Sequence, residues 1–300
     1  VNKNSDLSFS IYQVFSNGKR FCTVGRAVIN YHSTHFFEGQ KRWNHLFNVA
    51  KLYLSKNGTE SQPHIIKDGL YLYEGPSQLQ AAPIPLETEE VKIAPSIATK
   101  KIIISDFDDT IIKSRATSIT RLIYTTLFRP IGKREIFPEV SEVYEKLKSG
   151  QNSQEKEDNL FFYISSSTWN IYPLLKGFLK SSLLPEGILL LKEMDFGNTF
   201  ESELKHSHKL RKIQYLLDFY PELPFILIGD AGQEDASIYT EIARKNPGRI
   251  SKILIRYKWW EKILEDNAIE HIQRRDSKDT ASIKLTYFKN LNDLAPEDLY

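Results

Sequence analysis

The stretch KIIISDFDDTIIKS, residues 101–114, runs an apolar segment into three aspartates within four positions, Asp106, Asp108 and Asp109, closed by Thr110. Adjacent carboxylates at the end of a buried strand have no ready structural explanation, because each ionised group gives up its hydration there. The apolar pattern recurs downstream as LFFYIS, GILLL, PFILIG and KILIRY, separated by stretches of helical patterning. Strands buried on both faces read as continuous apolar runs, and their alternation with helices predicts a parallel sheet in an α/β domain.

In an open parallel sheet, ligands sit beyond the carboxyl ends of the strands. Three of the five runs end in matching polar groups: Asp106 to Thr110 after the first, Ser165, Ser166, Ser167 and Thr168 after the second, and Asp230 to Asp235 after the fourth. If these three strands are neighbours, hydroxyls and carboxylates far apart in the chain meet in one crevice. Crowded carboxylates repel one another unless a cation or a shared proton neutralises them. No His/Cys cluster accompanies them, so the donors are oxygens and the ion is a hard one. A few carboxylates completed by water and a substrate phosphate suit magnesium better than calcium. One aspartate can attack a phosphoryl group while a carboxyl two residues on protonates the leaving alcohol and then activates water. Asp106 and Asp108 have that spacing. Ser165 and a lysine would hold the phosphoryl oxygens.

These residues carry a resemblance. DFDDT resembles the D-x-D-x-T signature of haloacid dehalogenase superfamily phosphatases, Ser165 falls where their second motif has its Ser or Thr, and GDAGQED resembles their acidic fourth motif. Lys209, in HKLRKIQYLLDFYP, lies where the third-motif lysine is expected. More narrowly, SDFDDTI, YISSSTWNIYPLL, FYPELPFILIGDAGQEDASIY and ILIRY are similar to the catalytic domain of the actin-patch-protein type of magnesium-dependent phosphatidate phosphatase, over roughly residues 100 to 257. VGRAV faintly echoes that family's N-terminal module. The resemblance implies a Rossmann-like parallel sheet of the haloacid dehalogenase type without a large cap. It implies Asp106 as nucleophile and Asp108 as acid and base, with Thr110, Ser165, Ser166 and Lys209 on the substrate phosphate. It also implies Mg2+ held by Asp106, Asp230 and the backbone carbonyl of Asp108, with Asp235 in support. Thr168 departs from the pattern, which has proline there.

Each of these residues also has an ordinary reading. Asp235 could be a first-turn acid favoured by the helix dipole, and Ser165 to Ser167 could supply an N-cap. Lys209, set among Lys205, Arg211 and Lys212, reads alone as a solvated lysine. His206 and His208 read as surface residues, and Trp169 and Tyr172 as packing.

Elsewhere the chain is less specific. Its 300 residues, 41% apolar and 26% charged, suit a soluble protein of two domains. A net charge of +2 gives no reason to expect nucleic acid. The single cysteine, Cys22, excludes an intrachain disulfide and reads as a small buried hydrophobe. No apolar run approaches a membrane span, and the start at Val1 leaves room for a removed leader, so localisation stays open. Residues 76–99, with Pro76, Pro83, Pro85 and Pro95, read as an extended connector. The expected domains are therefore 1–95, a small β-rich N-terminal module of unknown role, and 96–300, the catalytic domain. Two β-rich runs flank Asn17-Gly18, a hairpin signal, and GLYLY is a further strand. Trp43, Leu46, Phe47, Ala50 and Leu54 have helical spacing. The tail carries one short amphipathic pattern, WWEKILEDN.

The intervals 111–164 and 169–208 are too short for a folded lid, which predicts an open site that admits a phosphate on a large body. Residues 111–134 hold six basic and no acidic residues, among them Arg121 and Arg129, beside an apolar stripe of Ile119, Leu122, Ile123, Leu127 and Phe128. A basic amphipathic segment is the sequence form of a contact with a membrane surface. With the resemblance, the expected substrate is phosphatidate or a related lipid phosphate. The alternatives are a phosphatase of phosphoprotein or small soluble esters, and a non-catalytic lipid- or protein-binding scaffold. Oligomeric state is not encoded in any of these features.

Overall fold

Apolar runs without a polar break settle where both faces of a sheet are covered, and that rule organises the larger part of this chain. The structure, a computed structural model, describes residues 5–31, 64–65, 70–76, 91–107, 138–150, 157–192, 207–231, 235–257, 284–290 and 293–299. Asp108, Asp109, Thr110, His206, the helical pattern around Trp43, the basic segment 111–134 and the WWEKILEDN pattern lie outside the described residues. The chain divides into two compact units, Val1–Ala94 and Pro95–Tyr300.

The first unit holds a small mixed sheet. Strands β1 (Ser5–Ser16) and β2 (Arg20–Tyr31) form an antiparallel hairpin. Its turn is closed by Asn17, whose Oδ1 accepts hydrogen bonds from the backbone N–H groups of Lys19 (2.9 Å) and Arg20 (2.7 Å). Gly18 takes φ +86°, a left-handed conformation that glycine adopts without a side-chain clash. β3 (His64–Ile65) and β4 (Leu70–Pro76) extend the sheet, and β5 (Val91–Ile93) runs parallel to β1, giving the order β3-β4-β2-β1-β5. β5 falls inside the proline-rich stretch read as a connector, in a short piece free of proline. Cys22 is fully buried with Phe15 and Val24.

The second unit is an α/β domain. Its strands are β6 (Ile102–Asp106), β7 (Leu160–Ile164), β8 (Gly187–Leu190), β9 (Phe225–Asp230), β10 (Ile250–Arg256) and β11 (Lys284–Phe288). Its helices are α1 (Pro138–Ser149), α2 (Tyr172–Ser181), α3 (Ser207–Phe219), α4 (Asp235–Lys245) and the short α5 (Pro296–Leu299). The strand order is β11-β10-β9-β6-β7-β8 and every pairing is parallel. β6, β7, β8 and β9 are buried along their whole length, as their unbroken apolar runs require. β11, KLTYF, carries no such run. Among the described residues it is an edge strand paired with β10 alone, so one continuous apolar surface is not needed.

From β6 the chain steps outward through β7 to β8, then returns to the other side of β6 with β9 and continues to β10 and β11. Right-handed crossovers then put the helices of the two halves on opposite faces, and the aromatic side chains agree. Phe161 meets Tyr144 of α1 at 5.6 Å between ring centroids, and Phe107 meets Phe178 of α2 at 5.6 Å. Phe162, pointing the other way, meets Tyr220 just past α3 at 5.9 Å. The reversal falls between β6 and β9, and a crevice opens at such a switch point beyond the carboxyl ends of the strands.

Candidate active site

The two strands that flank the switch point both end in aspartate. β6 pairs with β9 up to Ser105 and Ile228, so Asp106 and Asp230 finish adjacent strands. Asp235 opens α4 and is fully buried. Lys209, on the first turn of α3, is 1% exposed. Its Nζ lies 2.8 Å from Asp106 Oδ1 and 2.6 Å from Asp235 Oδ1. The second oxygen of Asp235 accepts the backbone N–H of Asp230 at 3.3 Å. One ammonium thus bridges carboxylates that arrive from different elements.

The ordinary readings of Lys209 and of the serines do not hold, whereas that of Trp169 and Tyr172 does. Lys209 and Lys212 are buried, not solvated. Asp235 stands at a helix start, but its carboxylate is spent on Lys209 and on the Asp230 amide. The 3-10 turn Trp169–Ile171 begins at Thr168 with no side-chain cap, so the serines do not cap it. His208 is half-buried. Trp169 stacks on the buried Tyr172 at 5.2 Å between centroids, as packing.

Charge balance decides what this cluster can hold. Burial raises the Asp235 carboxyl well above the usual carboxylate range, the Asp106 charge raises it further, and Lys209 opposes both. For Lys209, burial works to lower the pKa, but the carboxylates of Asp106 and Asp235 outweigh it and raise the ammonium above its ordinary value. Lys209 thus pairs with two of three buried carboxylates that lie together. Asp106, Asp230 and Asp235 each offer an oxygen, and these atoms lie within 4.8 Å of one another. An all-oxygen, anionic set of this size fits a hard divalent cation.

Local sequence explains why Asp235 can approach. Gly229 precedes Asp230, and a Cβ placed on it would lie 2.5 Å from Asp235 Oδ2 and 2.8 Å from the Tyr239 ring. No larger residue fits without displacing the carboxylate. The signal for this was present: a glycine inside an apolar strand marks a close approach. Tyr239 itself, whose hydroxyl donates to the Ile228 carbonyl at 3.3 Å, was not picked out by residue type.

The second motif sits beside Asp106 by register, since Asp106 pairs with Ile164 and Ser165 follows. Ser165 is fully buried and its Oγ accepts the backbone N–H of Ser167 at 3.0 Å. Ser166, in the same loop, is exposed. Thr168 adopts φ −80° and ψ 158°, a conformation open to proline, so the departure at this position leaves the loop geometry intact.

An α/β sheet with a buried lysine and three aspartates at its switch point is compatible with a divalent metal at the strand ends. Residues 101–257, just over half the chain, match the family described as phosphatidate phosphatase APP1, catalytic domain. The chain belongs to that family. It is 31% identical over 156 residues to phosphatidate phosphatase APP1 of Saccharomyces cerevisiae, covering 51% of this chain and 25% of that protein. It is 30% identical over 158 residues to an uncharacterised protein of Schizosaccharomyces pombe, covering 51% of this chain and 24% of that one. The matched segment therefore spans about a quarter of each relative. Among the described residues, no helix is long and apolar enough to cross a membrane.

Proposed function

We propose that this chain is a Mg2+-dependent phosphomonoester hydrolase of the haloacid dehalogenase type that acts on phosphatidate or a related lipid phosphate. The observation that carries the reading is the buried meeting of Asp106, Asp230, Asp235 and Lys209 at the switch point. Family membership over residues 101–257 supports the phosphate-ester class, and the relative's name supports phosphatidate.

Asp106 is the nucleophile. Its carboxylate oxygen attacks phosphorus, the ester oxygen leaves with a proton from Asp108, and an aspartyl-phosphate remains. Asp108 then takes a proton from water, which attacks the acyl phosphate and restores Asp106. Lys209 holds Asp106 in place and offers positive charge to the phosphoryl oxygens, with Ser165, Ser166 and Thr110 contributing hydroxyls. Asp106, Asp230 and the Asp108 carbonyl, with Asp235 in support, would hold Mg2+, which when bound would supply positive charge against the phosphoryl group. The short intervals around the second motif and the basic amphipathic segment 111–134 support a lidless site at a bilayer surface.

The test is phosphate release from phosphatidate vesicles, lysophosphatidate and a soluble aryl phosphate, with and without Mg2+. Expected are Mg2+-dependent turnover and preference for the lipid esters, with Arg121→Glu and Arg129→Glu together lowering activity on anionic vesicles and sparing the aryl phosphate. Preference for soluble esters would replace the lipid reading. No release from any ester would favour a binding scaffold.

A further inference from the structure

Lys212 is a second fully buried lysine on α3, one turn beyond Lys209, and the phosphatase reading gives it no task. Burying an ammonium is costly unless it makes a strong bond. Its Nζ donates to the backbone carbonyl of Leu190, the last residue of β8, at 3.3 Å. That same carbonyl accepts the backbone N–H of Ser165 at 3.1 Å. A carbonyl oxygen has two lone pairs and so can accept both bonds.

The link extends past the strand ends. The Lys192 N–H donates to the Ser167 carbonyl at 3.0 Å, so residues 165–167 hang on residues 190–192. Ser165 Oγ accepts the Ser167 N–H, which fixes the hydroxyl relative to the loop. The support of the loop is thus tied to α3, the helix that carries Lys209 to Asp106. A charged donor on a carbonyl gives a stronger bond than a neutral one and polarises the second bond to the same oxygen.

We propose that Lys212 is a positioning residue for phosphate binding, setting Ser165 against the phosphoryl oxygens through the Leu190 carbonyl. The proposal rests on the phosphatase reading. It predicts coupling between two residues that share the Leu190 carbonyl.

The test compares wild type, Lys212→Met, Ser165→Ala and the double variant, with a soluble aryl phosphate as substrate, inorganic phosphate as competitive inhibitor and saturating Mg2+. Lys212→Met keeps the length of the side chain and removes its charge. It should raise KM and the phosphate inhibition constant by about five- to tenfold while kcat stays within about threefold. The Mg2+ concentration for half-maximal activity should not move. Because Lys212 acts through Ser165, the double variant should bind phosphate no more weakly than Ser165→Ala alone. Multiplying effects in the double variant, or a loss confined to kcat, would overturn the assignment. If Lys212→Met does not fold, Lys212→Gln carries the same expectations. An active wild type whose constants Lys212→Met leaves unchanged defeats the positioning role alone. A wild type that neither releases nor binds phosphate defeats the phosphatase reading, and the positioning role with it.

Discussion

The two ends of the parallel sheet bury different kinds of polar group. At the amino ends, buried Asn159 makes four hydrogen bonds: Oδ1 accepts the N–H groups of Lys100 (3.1 Å) and Lys101 (2.8 Å), and Nδ2 donates to the Leu147 carbonyl (2.8 Å) and Glu157 Oε2 (2.6 Å). Arg249 Nη2 likewise reaches the carbonyls of Leu217, Tyr220 and Leu223, at 3.2, 2.6 and 3.3 Å, and ties the end of α3 to the start of β10. These side chains satisfy the backbone. At the carboxyl ends, Lys209 pairs with Asp106 and Asp235, and Asp230 lies beside them. Polar groups that complete the backbone hold the fold, whereas on the proposed reading the charged groups gathered at the other end serve a ligand.

If that contrast is correct, substitutions at the two ends should separate activity from stability. The largest effect on turnover among those considered for this contrast is expected from Lys209→Met, which removes the cation between two carboxylates. It should lower kcat/KM by about a hundred- to a thousandfold, as loss of one transition-state donor does, and the protein should remain folded by circular dichroism. Gly229→Ala attacks the same end through space, because the added methyl displaces Asp235. It should reduce turnover by roughly tenfold or more and raise the Mg2+ requirement, measured as the half-activating concentration.

Asn159→Ala probes the other end. It strands two backbone N–H groups and a carbonyl, and should cost about 2–4 kcal/mol in a denaturant titration while specific activity of the folded protein stays within about twofold. A comparable loss of activity would break the division between the two ends. The smallest effect is expected from Thr168→Pro. The exposed Thr168 already has a backbone conformation that proline adopts, so stability should rise by about 0.4–1 kcal/mol with activity unchanged.

The same contrast explains what the sequence makes legible. β6, β7, β8, β9 and β10 are readable because strands covered on both sides need unbroken apolar runs, and the acids at their ends stand out against that background. Asp106, Asp230 and Asp235 are found by residue type, and Lys209 only by its place among motifs, since a lysine set among three other cationic residues looks solvated. β11 escapes because an edge strand needs no continuous apolar run, and β5 because three residues among prolines give too short a period. Lys212 and Gly229 are of another kind. The importance of Lys212 lies in a bond to a carbonyl on a distant strand, and that of Gly229 in a gap left for Asp235, and neither pairing is written in local spacing.

The central claim is that Asp106 at the end of β6 becomes phosphorylated during turnover. Acid quench of the protein mixed with a rapidly hydrolysed phosphate ester and Mg2+, followed by mass spectrometry of its peptides, tests this directly. The account predicts a phosphoryl group on the peptide carrying Asp106, accumulation of that species in Asp108→Asn, and its absence together with turnover in a folded Asp106→Asn protein. Continued phosphate release by Asp106→Asn would contradict it.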